Sequence, residues 1–371
     1  MNQELNIERF PPSSNRSLKA FSAADESILA HTLELSPSLS SVTIINDRFG
    51  FLALQLMALR PHLITHHKSQ EEAIRYNYEL NGLALESPNF FHLLSNDIGQ
   101  TDLILMKVPK SLDLFHLFLM EAHSLSKPTS KVLCGFMTRH FTKQLLDLAS
   151  LYFEEVEQSK AWKKSRILTL SNPRCEIKKI IPLHLVPFQN PRGEEVMFKQ
   201  YFGVFSAKHI DFATQFLLHH LEIDPKTKTA LDLASGNGVI AYEIKQQAKH
   251  AEIHLLDDSF LAIESSKLNL QEGNIHFHYN YEMSALKDGY FDVIVCNPPF
   301  HFEHENTIEI ALKLFEGVSR TLSPKGLFLV VSNLHLNYKV HLRKYFRQIS
   351  QKKQNSKFEI IECSQPVSRI K

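Results

Sequence analysis

One succession of strand, turn and helix signals is written twice in this chain, in the same order and at nearly constant spacing. That repetition limits the fold more than any other feature. In the second half, TALDLASGNGVIAYEI reads as a strand, a glycine-containing turn and a helix. AEIHLLDDSFLAIESSKLNL follows as a strand ending in Asp257 and Asp258 and then a helix, FDVIVCNPPF as a strand entering a rigid turn, and GLFLVVSN as a further strand. The first half sets SVTIINDRFGFLALQL, HLITHHKSQEEAIRYNYELNG, TDLILMKVPKS and KVLCGF in the same places. Gly50 and Gly238 lie 188 residues apart, Pro109 and Pro299 lie 190 apart, and Asp102 matches Asp292. Short apolar runs alternating with helical patterns build parallel βα units. The expected fold is therefore α/β, with two tandem Rossmann-like domains from an internal duplication. Residues 1–170 and 201–371 are the expected domains. The proline-rich stretch 171–200, with its NPRG turn, reads as a linker and β-hairpin.

With 43% hydrophobic and 22% charged residues among 371, each copy has enough apolar material for its own core. The net charge of +1 excludes a polycation, so any nucleic-acid contact must use a local patch. Cys134, Cys175, Cys296 and Cys363 are far apart, with neither CxxC nor close Cys–His spacing, so neither a disulfide framework nor a metal is expected. The opening MNQELNIERFPPSS lacks the pattern of a secretory leader, and runs such as LFLVV are too short to span a bilayer. The expected setting is the cytoplasm, with no membrane contact and a monomer as the default state.

The chemistry-bearing residues cluster in the second copy. Asp232, Ala234, Gly236 and Gly238 occupy a strand–helix turn, where small residues let backbone approach a ligand and an acid at the strand end accepts from an amino group or water. Such a turn is often purely structural. Asp257 closes the next strand, where an acid accepts from a ribose diol in Rossmann-like sheets; the alternative is a helix cap, since Ser259 and a helix follow. Asn280, after the third strand, stands where an adenine edge is met. The sharpest motif is Asn297, Pro298, Pro299 and Phe300. An exocyclic amine on a purine is a poor nucleophile because its lone pair is delocalised. Holding both N–H groups in acceptors, the Asn297 amide oxygen and the Pro298 carbonyl, turns that pair toward an incoming methyl and stabilises positive charge on nitrogen. Phe300 offers a face to a splayed-out base. In isolation this segment is a rigid turn; after a glycine turn and an acid it reads as a base-holding site.

The first copy keeps Gly50 and Pro109 but lacks the acids and the asparagine. Ile44 stands for Asp232, Arg48 for Gly236, His66 or His67 for the ribose acid, and Lys107 to Lys110 for the asparagine turn. Isoleucine accepts no hydrogen bond and lysine only donates, so this copy is expected to hold neither cofactor nor target amine. Lys107, Lys110, Lys163, Lys164, Arg343 and Lys344 are candidate RNA contacts, with solvated surface charge as the plain alternative. Arg343 to Arg347 reads as a basic helix face.

On ERFPP, AADESIL, INDRFG, KVPKSLDL, AWKKSRIL, GVFS, GNGVI, DDSFLAIESSKLN, CNPPFH and SNLHLNYKVHLRKYF, the chain resembles the ribosomal RNA large subunit methyltransferase G family over nearly its whole length. The resemblance implies methyl transfer from S-adenosylmethionine to a guanine N2 of 23S rRNA, at guanine 1835, on naked or partly assembled RNA. It implies cofactor binding by Asp232, Gly236, Gly238, Asp257 and Asn280, a base held by Asn297 to Phe300, and an N-terminal domain that engages RNA. Ala234 stands where the family has glycine, and Leu334 where it has arginine. The small-subunit guanine-N2 paralogue shares the duplication and the N-P-P-F turn, so 16S rRNA is the alternative substrate. Glutamine-N5 methyltransferases share the turn but carry a small helical N-terminal domain, and a DNA adenine-N6 enzyme would need a recognition insert that is not seen. A catalytically silent RNA-binding assembly protein is the alternative of another class; retention of Asn297 and Asp257 beside a decayed copy argues against it.

Overall fold

The structure is a computed structural model that describes residues 5–12, 18–35, 40–84, 88–95, 97–298 and 307–367, with backbone only for 307–311. The chain divides into two compact units, Met1–Pro182 and Leu183–Lys371.

In the first unit the elements are α1 (Ala23–Leu35), β1 (Val42–Ile45), α2 (Phe51–Gln55), β2 (His62–Thr65), α3 (Lys68–Leu80), β3 (Asn89–His92), β4 (Thr101–Lys107), α4 (Leu112–Ser124), β5 (Ser126–Met137), α5 (Lys143–Ala149), β6 (Phe153–Gln158) and β7 (Ser165–Pro173). The second unit opens with β8 (Leu183–Gln189) and β9 (Glu195–Tyr201). It continues with α6 (Phe212–Leu218), β10 (Thr229–Leu233), α7 (Val239–Gln247), β11 (Glu252–Asp257), α8 (Phe260–Asn269), β12 (Ile275–Tyr279), β13 (Phe291–Cys296), α9 (Thr307–Thr321), β14 (Leu322–Asn333), α10 (Tyr338–Leu342), β15 (Phe346–Gln354) and β16 (Phe358–Pro366).

Each unit carries a seven-stranded sheet of one topology, β3-β2-β1-β4-β5-β7-β6 and β12-β11-β10-β13-β14-β16-β15. Five neighbouring strands in each are parallel, and the last two join antiparallel. The duplication is thus a structural one. Central strands are covered on both faces, which is why they read as unbroken apolar runs. Along β10 and β13, Ala230, Val293 and Val295 enter one core while Leu231, Leu233, Ile294 and Cys296 enter the other. The repeated acid also has a structural explanation. Asp102 Oδ2 accepts from the amides of Ser40 (3.1 Å) and Ser41 (3.0 Å), and Asp292 Oδ2 from those of Lys228 (2.9 Å) and Thr229 (3.2 Å). In both copies it satisfies amides at the entry to the first strand.

The β8–β9 hairpin belongs to the second unit. Its turn passes through Gly193 at φ 84°. Val186, Phe188 and Phe198 bury against α6 and α7, and Arg192 pairs with the buried Glu243 of α7 at 2.8 Å. One sequence expectation needs correction. The basic run at 343–347 is not a helix: α10 stops at Leu342, a turn follows, and Phe346 opens β15. Phe346 is drawn into the core, stacked on Phe328 with ring centroids 5.8 Å apart, and that burial outweighs helical continuation.

Candidate active site at the carboxyl ends of β10 and β13

Strand order reverses between β10 and β13, the switch point at which open α/β sheets bind ligands beyond their carboxyl ends. Leu233 pairs with Cys296 there, so the segments starting at Ala234 and Asn297 leave the sheet side by side. The Ala234 and Ser235 amides donate to the Leu256 carbonyl (2.9 and 3.2 Å), and the Asn280 amide donates to the Asp257 carbonyl (3.0 Å). The loops after β10 and β12 are thereby both tied to the end of β11, and Asp232, Ala234, Gly236, Gly238, Asp257, Asn280, Asn297 and Pro298 collect at one end of the sheet. Pro299, Phe300 and His301 lie outside the described residues.

The turn needs its small residues. Gly238 caps α7 at φ 82°, and a Cβ there would sit 3.0 Å from Leu270 Cδ1 and 3.1 Å from Ser266 Oγ. Gly236 has φ 55°, with open space where a side chain would project. Ala234 adopts φ 60°, a left-handed conformation that costs an L-residue about 1–2 kcal/mol. A glycine at this position would be free of that strain.

Asp232 is fully buried. Its Oδ2 accepts from the Ala241 amide at 2.9 Å, while Oδ1 has no hydrogen-bond partner among the described residues. Burial, reinforced by the nearby Asp257 carboxylate, raises its pKa well above the usual carboxylate range. A buried acid with an unused oxygen suits a ligand bearing a positive charge or N–H groups. Asp257 Oδ2 accepts from the Gly236 amide and Oδ1 from the Ser259 amide, each at 2.8 Å. The capping side chain of α8 is that of Ser259, which accepts from the Ala262 amide at 3.3 Å, so Asp257 is not the helix cap.

Asn297 is half-buried, and its amide is held one way round. Nδ2 donates to Asp211 Oδ2 at 3.1 Å and to Thr214 Oγ1 at 2.7 Å, while the buried Oδ1 has no partner among the described residues. Both acceptors sit at the start of α6, where Asp211 also caps the amides of Ala213 and Thr214 at 3.0 and 3.2 Å. Sequence reasoning missed them. Asp211 before FATQF carries a capping signature, but nothing local links it to a residue 86 positions away.

The first unit fills the same place differently. Ile44 occupies the sheet position of Asp232, pairing with Leu63 where Asp232 pairs with Leu255. The helix amide is served from the turn instead: Asp47 Oδ2 accepts from Ala53 at 2.8 Å. Burial raises Asp47 to about 7. Lys107 Nζ, at the place of Asn297, lies 2.7 Å from the Oδ2 of the buried Asp25. Its ammonium is held in that internal pair, with the side chain 29% exposed. Lys110, Lys164, Arg343 and Lys344 are exposed. Lys163 is exposed too, 3.4 Å from Glu26 Oε2 and 4.3 Å above the Trp162 ring.

Residues 1–175 match the family described as RLMG N-terminal domain, and residues 195–362 match Methyltransferase small domain. The solved T. thermophilus 16S rRNA N2 G1207 methyltransferase, in complex with AdoMet and guanosine, has the same fold at TM-score 0.77 and 17% identity, covering 97% of this chain and 98% of that one. Ribosomal RNA large subunit methyltransferase G of Shewanella sp. (strain MR-4) is 31% identical, with 97% of each chain covered. The enzyme of that name from Klebsiella pneumoniae subsp. pneumoniae is 30% identical over 98% of this chain and 97% of its own. With its duplicated fold and its acids and asparagine at the second switch point, the chain belongs to the ribosomal RNA large subunit methyltransferase G family.

Proposed function

We propose that the second unit transfers a methyl group from S-adenosylmethionine to the N2 amine of a guanine in 23S rRNA, guanine 1835 in particular. The observation that carries this reading is the one-way amide of Asn297. With Nδ2 occupied by Asp211 and Thr214, the unpartnered Oδ1 is the group left to accept an N–H from a substrate amine. The Pro298 carbonyl is the proposed second acceptor. Pinning both N–H groups turns the amine lone pair outward and disperses the charge that builds on nitrogen.

Asp232 and Asp257 are the proposed cofactor acids. The unpartnered Asp232 Oδ1 beside the Asp257 carboxylate fits a cationic ligand, whose charge would favour ionisation of the buried acid, and Asp257 and Asn280 fit its ribose and adenine. When bound, S-adenosylmethionine supplies a methyl group already activated by its sulfonium. The protein's remaining work is to orient the amine and exclude water.

The first unit is proposed to bind neither cofactor nor amine, because the Lys107 ammonium, with Asp25 and Asp47, stands where the asparagine and the strand acid would be. It is proposed to serve RNA binding. Lys163 and Lys164, beside a half-exposed Trp162 at a hairpin tip, offer charge and a stacking face to single-stranded RNA. Lys110, Arg343 and Lys344 add phosphate contacts. Among the described residues no helix is long and apolar enough to cross a membrane. A monomer acting in the cytoplasm on naked or partly assembled RNA completes the proposal.

The test is Asn297→Ala assayed with radiolabelled S-adenosylmethionine on undermodified 23S and 16S RNA, with the label mapped to a nucleotide. Methylation is expected on 23S RNA and lost in the variant, with cofactor affinity largely unchanged. Retained turnover would remove the acceptor mechanism, and label on 16S RNA alone would reassign the substrate.

A further inference from the structure

At the end of β11 opposite Asp257, the edge of the second sheet gathers a group of side chains that methyl transfer does not use. Glu252 and His254 project from one face of β11, and His276 and His278 from the same face of the neighbouring edge strand β12. His254 pairs directly with His276 in the strand register. Glu252 Oε1 lies 2.9 Å from His254 Nε2 and 3.2 Å from His276 Nε2, and one donor atom from each of the three falls within 4.8 Å of the others.

We propose that Glu252, His254 and His276 form a divalent-metal site, with zinc as the ion the donor set suits best. Two imidazoles and one carboxylate are a recurrent zinc set, leaving a fourth position for water. Ligand atoms around tetrahedral zinc, at about 2.0–2.1 Å from the metal, are roughly 3.3 Å from one another; the two Glu252 contacts, at 2.9 and 3.2 Å, are close to that spacing, and the two histidine donors lie within 4.8 Å. Outer hydrogen bonds aim two of the three donors, while His276 Nε2 also meets Asn274 Oδ1 at 3.0 Å and its ring, stacked on that of His254 with centroids 4.6 Å apart, must turn to share an ion. His278 Nε2 meets His254 Nδ1 at 2.8 Å and leaves His254 Nε2 facing the cluster. The Tyr290 hydroxyl donates to Glu252 Oε2 at 2.9 Å and leaves Oε1 for the ion. Such outer partners fix the orientation of ligating imidazoles and carboxylates. His276 is 44% exposed, which gives the ion a route in from solvent.

The first unit is a control for the fold. Where His254 pairs with His276, His62 pairs with Asn89; where Leu256 pairs with His278, Ile64 pairs with Phe91. Arg60 precedes His62 by the same step that Glu252 precedes His254. One imidazole survives there among an arginine, an asparagine and a phenylalanine, so the cluster is not a by-product of the sheet. The cysteine spacing that argued against a metal could not reveal it, because its ligands meet only across two strands. Bound zinc would clamp β12 to β11, and β12 leads directly into Asn280.

The test uses the full-length protein, stripped of metal and titrated with zinc chloride in competition with a chromophoric chelator. One zinc per chain at sub-micromolar affinity is expected, together with a rise in melting temperature. His276→Ala, at an exposed position, and the near-isosteric Glu252→Gln should each weaken binding about tenfold or more. Because the chain has 20 histidines, His219→Ala/His220→Ala serves as the reference variant and should bind like wild type. Absence of stoichiometric binding, or equal affinity in wild type, His276→Ala and Glu252→Gln, would overturn the site.

Discussion

Thr214→Val tests whether the orientation of Asn297, rather than its presence alone, sustains catalysis. An amide can sit either way round. In wild type the reversed rotamer would turn Oδ1 against the Asp211 carboxylate, which only accepts, leaving the Thr214 hydroxyl to rotate and donate, and would present Nδ2, a donor, to an amine that needs an acceptor. The bond to Thr214 is 2.7 Å and neutral; that to Asp211 is 3.1 Å and charge-assisted. A neutral hydrogen bond contributes about 0.5–1.5 kcal/mol and a charged one about 1.5–3 kcal/mol. Valine matches threonine in shape but cannot accept, so Thr214→Val should lower kcat by roughly 2- to 10-fold. Asp211→Asn removes the charge and should lower it by roughly 10- to 100-fold. The two share one amide, so their effects should be non-additive in a double-mutant cycle. The assay is single-turnover methylation of undermodified 23S RNA, with cofactor affinity measured separately by calorimetry. An unchanged kcat in both variants, or a loss explained wholly by weaker cofactor binding, would refute the orienting role.

Further outcomes follow from other groups. Asp257→Ala should weaken S-adenosylmethionine binding roughly 10- to 100-fold, as expected for loss of a charge-assisted acceptor; an unchanged titration would leave Asp257 as a brace for the Gly236 turn. Ala234→Gly should stabilise the second unit by about 0.5–1 kcal/mol, since relief of left-handed strain exceeds the added chain entropy; denaturant unfolding of the two proteins measures it, and a less stable variant would contradict the strain argument. Asp47 gives a pH dependence whose sign can be stated. Its folded pKa of about 7 exceeds the unfolded value of 3.8, so folding retains a proton between those values. Stability from this group therefore falls as pH rises from about 4 to 7 and then levels off. Asp47→Asn should abolish that fall and be more stable than wild type at pH 8, by at most roughly 4 kcal/mol. Equal differences between the two proteins at pH 5 and pH 8 would show that the proton is not held.

Legible in the chain alone were features encoded within a few residues. The twofold succession of apolar strands, glycine turns and helices reappears as two sheets of identical order, because period and turn chemistry are local properties. Gly50 and Gly238 were visible as equivalent, and both adopt left-handed backbone, at φ 83° and 82°. The loss of Asp232 to Ile44 was equally readable. Only the tertiary structure decided what satisfies each group across the sheet. Asp211 and Thr214 reach Asn297 from a helix more than eighty residues earlier. Asp47 serves the amide that a strand acid serves in the other copy, and Lys107 pairs with the buried Asp25. Buried polar groups take whatever partner the packed backbone brings within about 3 Å. Strand register and loop path set that proximity, and no stretch of sequence contains either by itself.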